Sequence, residues 1–202
     1  MSYHSDALTL TDLGAEIDLL DPDLPVALAL ADLDEFVALN DAHGPEVGDT
    51  VLAGFERVLA AGLAPDGRVA HVRGDEFAAM LPGMAIEEAL LALEKVRAEV
   101  AGSDPAPGLT DPLTVSVGIA GRPAHGGTAE ELMAAAEAAL VRAKRAGGNR
   151  VCLYVEERMV LKSSYYPRSG LHRLAKLARR RGKPEATLLR EALEEYLARH
   201  QP

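Results

Sequence analysis

The chain has 202 residues, of which 48% are hydrophobic and 26% are charged, as in an ordinary globular protein with one good core and room for a small second unit. Its single cysteine excludes an internal disulfide, and no apolar run approaches the roughly 20 residues of a membrane span. The start of the chain lacks the pattern of a signal peptide. These features predict a cytoplasmic protein with no membrane partner.

The net charge of −10 is unevenly distributed along the chain. Residues 156–202 carry 11 Lys and Arg against 6 Asp and Glu, a balance of +5. Residues 1–155 carry the other 10 basic and 25 acidic residues, a balance of −15. This asymmetry predicts two domains, 1–155 and 156–202, with partners of different kinds.

The first half of the chain alternates between strand-like and helix-like segments. The nearly continuous apolar run at 26–33, VALALADL, is typical of a strand buried on both faces. Segments 87–100 and 129–147 have helical spacing. Thr128 followed by Glu131 predicts a capping box at the start of the second helix. The pattern therefore indicates an α/β protein.

A β-hairpin is predicted in the middle of this body, because the apolar runs RVAHV and EFAAML flank the turn Arg73-Gly74-Asp75. Further strands are predicted at 113–120 and 150–155, and a Pro/Gly-rich surface loop at 102–112. The order of elements predicts an α/β sandwich with mostly antiparallel pairing around the hairpin.

The pattern changes after Tyr154. A short polar strand ending at Pro167 is predicted, followed by helices over 168–182 and 183–200, each with a narrow apolar stripe. So short a unit cannot bury these stripes alone, so we expect it to dimerise.

Four motifs of the body resemble, in order and spacing, those of the GGDEF family, the diguanylate cyclases of bacterial signalling, over residues 6–154: LADLDEFVALNDAHGPEVGDTVL, HVRGDEFAAMLPG, LTVSVGIA and AEAALVRAKRAGGNRV. The resemblance implies a GGDEF/nucleotidyl-cyclase-like sandwich. In that family two facing domains, each holding GTP and Mg²⁺, join two GTP molecules into cyclic di-GMP.

The resemblance also implies roles for individual residues. Asp32, Asp75 and the Leu33 carbonyl match the metal ligands, which suits the preference of Mg²⁺ for hard oxygen donors. Asn40 and Asp49 match the positions that hydrogen-bond the guanine edge.

The phosphate and catalytic positions are only partly retained. Glu76 matches the acid implicated in metal binding or in activating the attacking hydroxyl, Gly74 matches the glycine that lets backbone approach the phosphates, and Lys144 matches a phosphate-binding lysine. Arg73 replaces the first signature glycine and is a candidate phosphate donor. Two family cations are replaced, at Val37 and Gly148.

These departures favour a pocket that binds GTP or cyclic di-GMP, with weak or no cyclase activity. Loss of one phosphate cation costs on the order of 10² in rate. An active diguanylate cyclase stays open as the alternative because the three acids are kept.

The tail, residues 158–199, resembles a ribbon-helix-helix DNA-binding domain, which implies a homodimer that lays a two-stranded ribbon in the major groove of double-stranded DNA. Anchoring the strand on Pro167 gives the outward set Leu161, Ser163 and Tyr165. A one-residue slip instead exposes Lys162, Ser164 and Tyr166.

Phosphate contacts in such a domain would come from Arg168, Lys183 and some of the arginines at 179–181. The leading hypothesis is thus a transcription regulator whose body senses a guanine nucleotide. The other hypotheses are the active cyclase, with a tail that serves dimerisation, and a DNA-binding dimer whose body has lost all its ligands.

Overall fold

A computed structural model gives the fold for residues 8–63, 65–103, 112–156 and 164–200. The chain divides into two compact units, Met1–Glu157 and Arg158–Pro202. The first unit contains helices α1 (Leu10–Leu19), α2 (Phe36–His43), α3 (Pro45–Gly62), α4 (Ile86–Gly102) and α5 (Ala129–Arg145), and strands β1 (Val26–Leu33), β2 (Arg68–Arg73), β3 (Glu76–Pro82), β4 (Val115–Arg122) and β5 (Arg150–Leu153).

The five strands form one sheet in the order β2-β3-β1-β4-β5. The first three pairings are antiparallel, and β4 pairs with β5 in parallel. The predicted hairpin is present as β2 and β3, and β1 lies at the centre of the sheet. The prediction of a mixed α/β fold is confirmed.

Alternating side chains of β1 place a core on each face of the sheet. Ala27, Ala29 and Ala31 belong to the core shared with α3 and α4, whereas Leu28 and Leu30 belong to the core shared with α1 and α5. Because side chains alternate with a period of two, the next even position, residue 32, lies on the α5 side. The strand pattern thus determines which helix can reach Asp32.

Helix α1 is an element that the sequence pattern did not predict. It begins with a capping box, in which the Asp12 amide donates to Thr9 Oγ1 at 3.1 Å. The third helical position carries Asp where the usual signature has Glu or Gln. Since only Leu13, Gly14 and Ile17 are buried, the apolar periodicity of this ten-residue helix is too short to stand out.

The second unit contains α6 (Arg168–Arg181) and α7 (Glu185–Arg199), close to the predicted helix bounds. Residues 164–167 are not in a strand, and the rest of the predicted strand lies outside the described residues, as does most of the loop at 102–112. A ribbon strand pairs with a second chain, so its ladder cannot form within one chain. None of the described helices is long and apolar enough to cross a membrane.

Candidate functional site

A row of polar residues crosses the sheet beside the end of β1. The strand register places Arg73 opposite Glu76, Glu76 opposite Asp32, and Asp32 opposite Ser116. The Leu33 amide donates to the Asp75 carbonyl at 3.3 Å. The hairpin turn therefore lies against the carboxyl end of β1, which brings the acids of two distant segments together.

A cavity of about 700 Å³ opens at this end of the sheet. Its walls include four residues with predicted roles: Asp32, Leu33, Asp75 and Lys144. Val37 and Gly148, which replace family cations, also line it. The residues expected to hold a cation and a phosphate are thus collected around one opening, and so are the positions where cations are missing.

Asp32 and Lys144 form an ion pair inside this cavity. Lys144 Nζ lies 2.5 Å from Asp32 Oδ2, and the Asp32 side chain is only 14% exposed. Burial raises the pKa of the Asp32 carboxyl above its usual value, the hydrogen bond from Lys144 lowers it, and the charge of Asp75 raises it. The other oxygen, Oδ1, is buried and has no hydrogen-bond partner among the residues that the structure describes. The carboxylate therefore keeps an unused acceptor.

The donors at this point fit a magnesium ion that arrives with phosphate oxygens. Two carboxylates, Asp32 and Asp75, stand near the Leu33 carbonyl, and Mg²⁺ is commonly held by one or two carboxylates plus substrate phosphates and water. No cluster of three or more metal-binding side chains occurs among the described residues. The unpartnered Asp32 Oδ1 is the atom that a cation would satisfy.

Asp34 is a site residue that the sequence analysis missed. Its carboxylate accepts hydrogen bonds from Thr114 Oγ1 at 2.8 Å, Ser116 Oγ at 2.6 Å and the Asn149 amide at 2.8 Å. It thereby ties the end of β1 to β4 and to the turn after α5. In sequence, its only signal is its spacing of two from Asp32.

Gly148 lies in that turn under two local restraints. Its φ of +72° is in the left-handed region, and a Cβ atom there would lie 3.0 Å from Asp34 Oδ1. An arginine at this position would be strained by both. The backbone at residue 148 therefore favours the glycine that stands where the resemblance expects a cation.

The pair predicted to bind guanine, Asn40 and Asp49, lies away from the cavity walls. Asn40 Oδ1 is buried against α3 and has no hydrogen-bond partner in the described part of the chain, and a Cβ atom on Gly48 would lie only 1.8 Å from it. Asp49, the next residue, is exposed. Asn40 and Asp49 are thus on adjacent helices, but neither lines the cavity beside Asp32. Their role in base recognition stays a prediction.

Arg73 is engaged with the predicted catalytic acid. Its Nε donates to Glu76 Oε2 at 3.1 Å, and its side chain is 81% exposed whereas that of Glu76 is 14% exposed. Gly74 follows with a φ of +54°, and the ring of His71 donates through Nε2 to the Gly74 carbonyl at 2.8 Å. The His71 hydrogen bond thus closes the turn, and Arg73 forms an ion pair with Glu76.

In the second unit, Arg168 is the first residue of α6, and Tyr165 is fully exposed. Lys183 Nζ lies 2.6 Å from Glu191 Oε1, so a phosphate would have to compete for it. The predicted Lys162 and Ser163 contacts lie outside the described residues. Helix α6 carries six cations and no acid: Arg168, Arg173, Lys176, Arg179, Arg180 and Arg181.

Comparison with known proteins agrees with the fold and with the motifs. Residues 8–150 match the family profile "Diguanylate cyclase, GGDEF domain". The chain is 32% identical over 130 residues to the response regulator PleD of Caulobacter vibrioides, covering 63% of this chain and 29% of that protein. It is 35% identical over 133 residues to the probable diguanylate cyclase DgcF of Escherichia coli, covering 62% and 41%.

The chain therefore spans less than half the length of these curated relatives. Among solved structures, the GGDEF domain of DgcB from Caulobacter crescentus in complex with c-di-GMP superimposes with a TM-score of 0.66 at 28% identity, covering 74% of this chain and 92% of that one.

Proposed function

The chain belongs to the GGDEF diguanylate cyclase family, and on that premise we propose that its body binds a guanine nucleotide, GTP or cyclic di-GMP, together with a divalent cation in the cavity beside Asp32. The observation that supports this most directly is the buried, unpartnered Asp32 Oδ1 next to Lys144. A cation would satisfy that oxygen, and a half-exposed lysine can turn to a phosphate.

Binding is favoured over efficient catalysis because two of the cations that the family uses for the triphosphate are missing from the site. Val37 is 71% exposed at the cavity where the family has a lysine, and Gly148 contributes no side chain. Each lost cation removes a few kcal/mol of transition-state stabilisation. An active cyclase is the second candidate, favoured by Asp32 and Glu76 lying opposite each other on the sheet, next to Asp75.

Calorimetric titration with GTP and with cyclic di-GMP, each with Mg²⁺, tests this function, with chromatography of the same samples for product. We expect at least one nucleotide to bind without turnover, ATP to bind more weakly, and Lys144→Met to weaken binding about tenfold. Conversion of GTP to cyclic di-GMP would establish the second candidate. If neither nucleotide bound, the proposal would be wrong.

We further propose that the second unit makes the protein a DNA-binding regulator. The support is the charge of α6, six cations with no acid. The exposed apolar side chains of α7, Leu193, Tyr196 and Leu197, offer a face for a second copy. The apolar faces would join two chains and leave the cations for DNA phosphates.

Duplex DNA binding by the full chain should fall steeply with salt. Because about six phosphate contacts release six condensed counterions, the association constant should drop on the order of 10³-fold between 50 and 200 mM salt. Fluorescence anisotropy would measure this, and light scattering would give the oligomeric state. Arg173→Ala with Arg180→Ala should weaken binding, whereas Arg57→Ala in the body should not. Absence of binding to any duplex at 50 mM salt would refute DNA binding.

A further inference from the structure

The row of residues across the sheet carries like charges on neighbouring strands. Asp32 and Glu76 are directly opposite each other on β1 and β3. Both carboxyl groups are largely buried, each with a side-chain exposure of 14%. Like charges placed opposite each other repel and destabilise a sheet. Two such acids therefore need compensating positive charge.

Each acid has its own cation. Lys144 contacts Asp32 at 2.5 Å from the α5 side, and Arg73 contacts Glu76 at 3.1 Å from β2. The two pairs use different elements of the fold. Arg73 stands opposite Glu76 in the strand register, so its backbone position already faces that acid.

We propose that Arg73 is an internal competitor for the divalent cation: its guanidinium occupies Glu76 and so withholds this carboxylate from the ion. This inference rests on the proposed function, because it concerns the same site. It assigns Arg73 a role opposite to the phosphate donor expected from sequence alone.

The geometry makes this competition reversible. Glu76 is mostly buried while Arg73 is 81% exposed, so the guanidinium can leave without opening the core. An exposed cation loses little by returning to water. The positive charge of Arg73 can thus move away from Glu76 and leave an ionised carboxylate for a metal ion. In this arrangement the chain keeps the family's acids, but Glu76, the acid expected to act in catalysis, is paired with Arg73.

Manganese binding to the full-length protein without nucleotide tests the proposal, with free Mn²⁺ measured by electron paramagnetic resonance. We expect Arg73→Gln to bind Mn²⁺ about tenfold more tightly than wild type, since the Glu76 carboxylate is then released and can serve as a ligand for the ion. Arg73→Lys keeps the charge and should bind like wild type. Arg68→Gln is the matched control, because Arg68 lies on the same strand and pairs with Glu16 instead, and it should cause no change.

A double-mutant cycle locates the effect. If Arg73 acts through Glu76, then Arg73→Gln should tighten binding much less in a Glu76→Gln background. Equal or weaker Mn²⁺ binding by Arg73→Gln, or an equal gain in both backgrounds, overturns the proposal. The GTP and cyclic di-GMP titrations of wild type separate this failure from that of the proposed function: nucleotide binding with no effect of Arg73→Gln removes only the competitor role.

Discussion

Asp32→Asn is expected to reduce cation-dependent nucleotide binding at least about 100-fold, because a neutral amide is a much weaker ligand for a hard cation than a carboxylate. The variant removes the negative charge beside Oδ1, the oxygen that no group in the described structure satisfies. It also frees Lys144 from its ion pair. Calorimetry with Mg²⁺ and each nucleotide would measure the loss, and wild-type affinity in the variant would exclude Asp32 as a ligand.

The same substitution should leave the body as stable as wild type or more stable. Burial, the main cause, and the charges of Asp75 and Glu76 raise the pKa of Asp32, so its ionised form is disfavoured in the folded protein. Asparagine avoids that cost, and half-exposed Lys144 returns to solvent. We expect a melting temperature equal to wild type or up to about 4 °C higher.

The pH dependence gives the sign of this effect. Because the folded pKa of Asp32 is raised, the stability that its proton contributes is fully present below its unfolded pKa of about 3.9 and is lost as pH rises through the folded pKa. The Asp32→Asn variant does not lose this stability, because its amide does not titrate. The melting temperature of the variant minus that of wild type should therefore increase across that window and then level off. A difference that stays constant with pH would contradict the argument from burial.

Asp34→Asn is the matched control for Asp32, because the two acids lie two residues apart. The Asp34 carboxylate accepts from Thr114, Ser116 and the Asn149 amide, and an amide group has only one oxygen to meet these donors. We expect it to cost about 1–3 kcal/mol of stability. We therefore expect one carboxylate to serve a ligand and the other to serve the fold, which their sequence positions alone do not distinguish.

The sequence predicted those elements whose signals are local. Apolar continuity predicted β1, the Thr128 and Glu131 spacing predicted the start of α5, and the turn at Gly74 predicted the hairpin. Convergence of Asp32 with Asp75 depends on the hairpin lying beside β1, and the register of β1 with β3 places it there.

Individual side-chain contacts at the site could not be predicted in this way. The contact of Lys144 with Asp32 depends on where α5 lies along the sheet, and the contact of Arg73 with Glu76 depends on side-chain direction at a hairpin end. Both required the packed structure. The sequence spacing of the two residues does not predict either ion pair.

Gly118→Ala is expected to be the most destabilising single-methyl change considered for the body. A Cβ atom at this position of β4 would lie 2.1 Å from the Leu140 amide nitrogen and 2.2 Å from the Ala136 carbonyl oxygen. Both are backbone atoms of α5, so no side chain can rotate away. The helix must move off the sheet, and we expect a loss of about 3 kcal/mol or more.

Urea unfolding, with hydrogen exchange of the β4 and α5 amides, would measure this loss. Gly102→Ala is the matched control, because a Cβ atom there, at the end of α4, would meet no atom of the described residues within 4 Å. It should change stability by less than about 1 kcal/mol. If Gly118→Ala were equally mild, α5 would not rest on β4 as described. Since α5 also carries Lys144, lifting it would separate Lys144 from Asp32, so nucleotide affinity should fall together with stability.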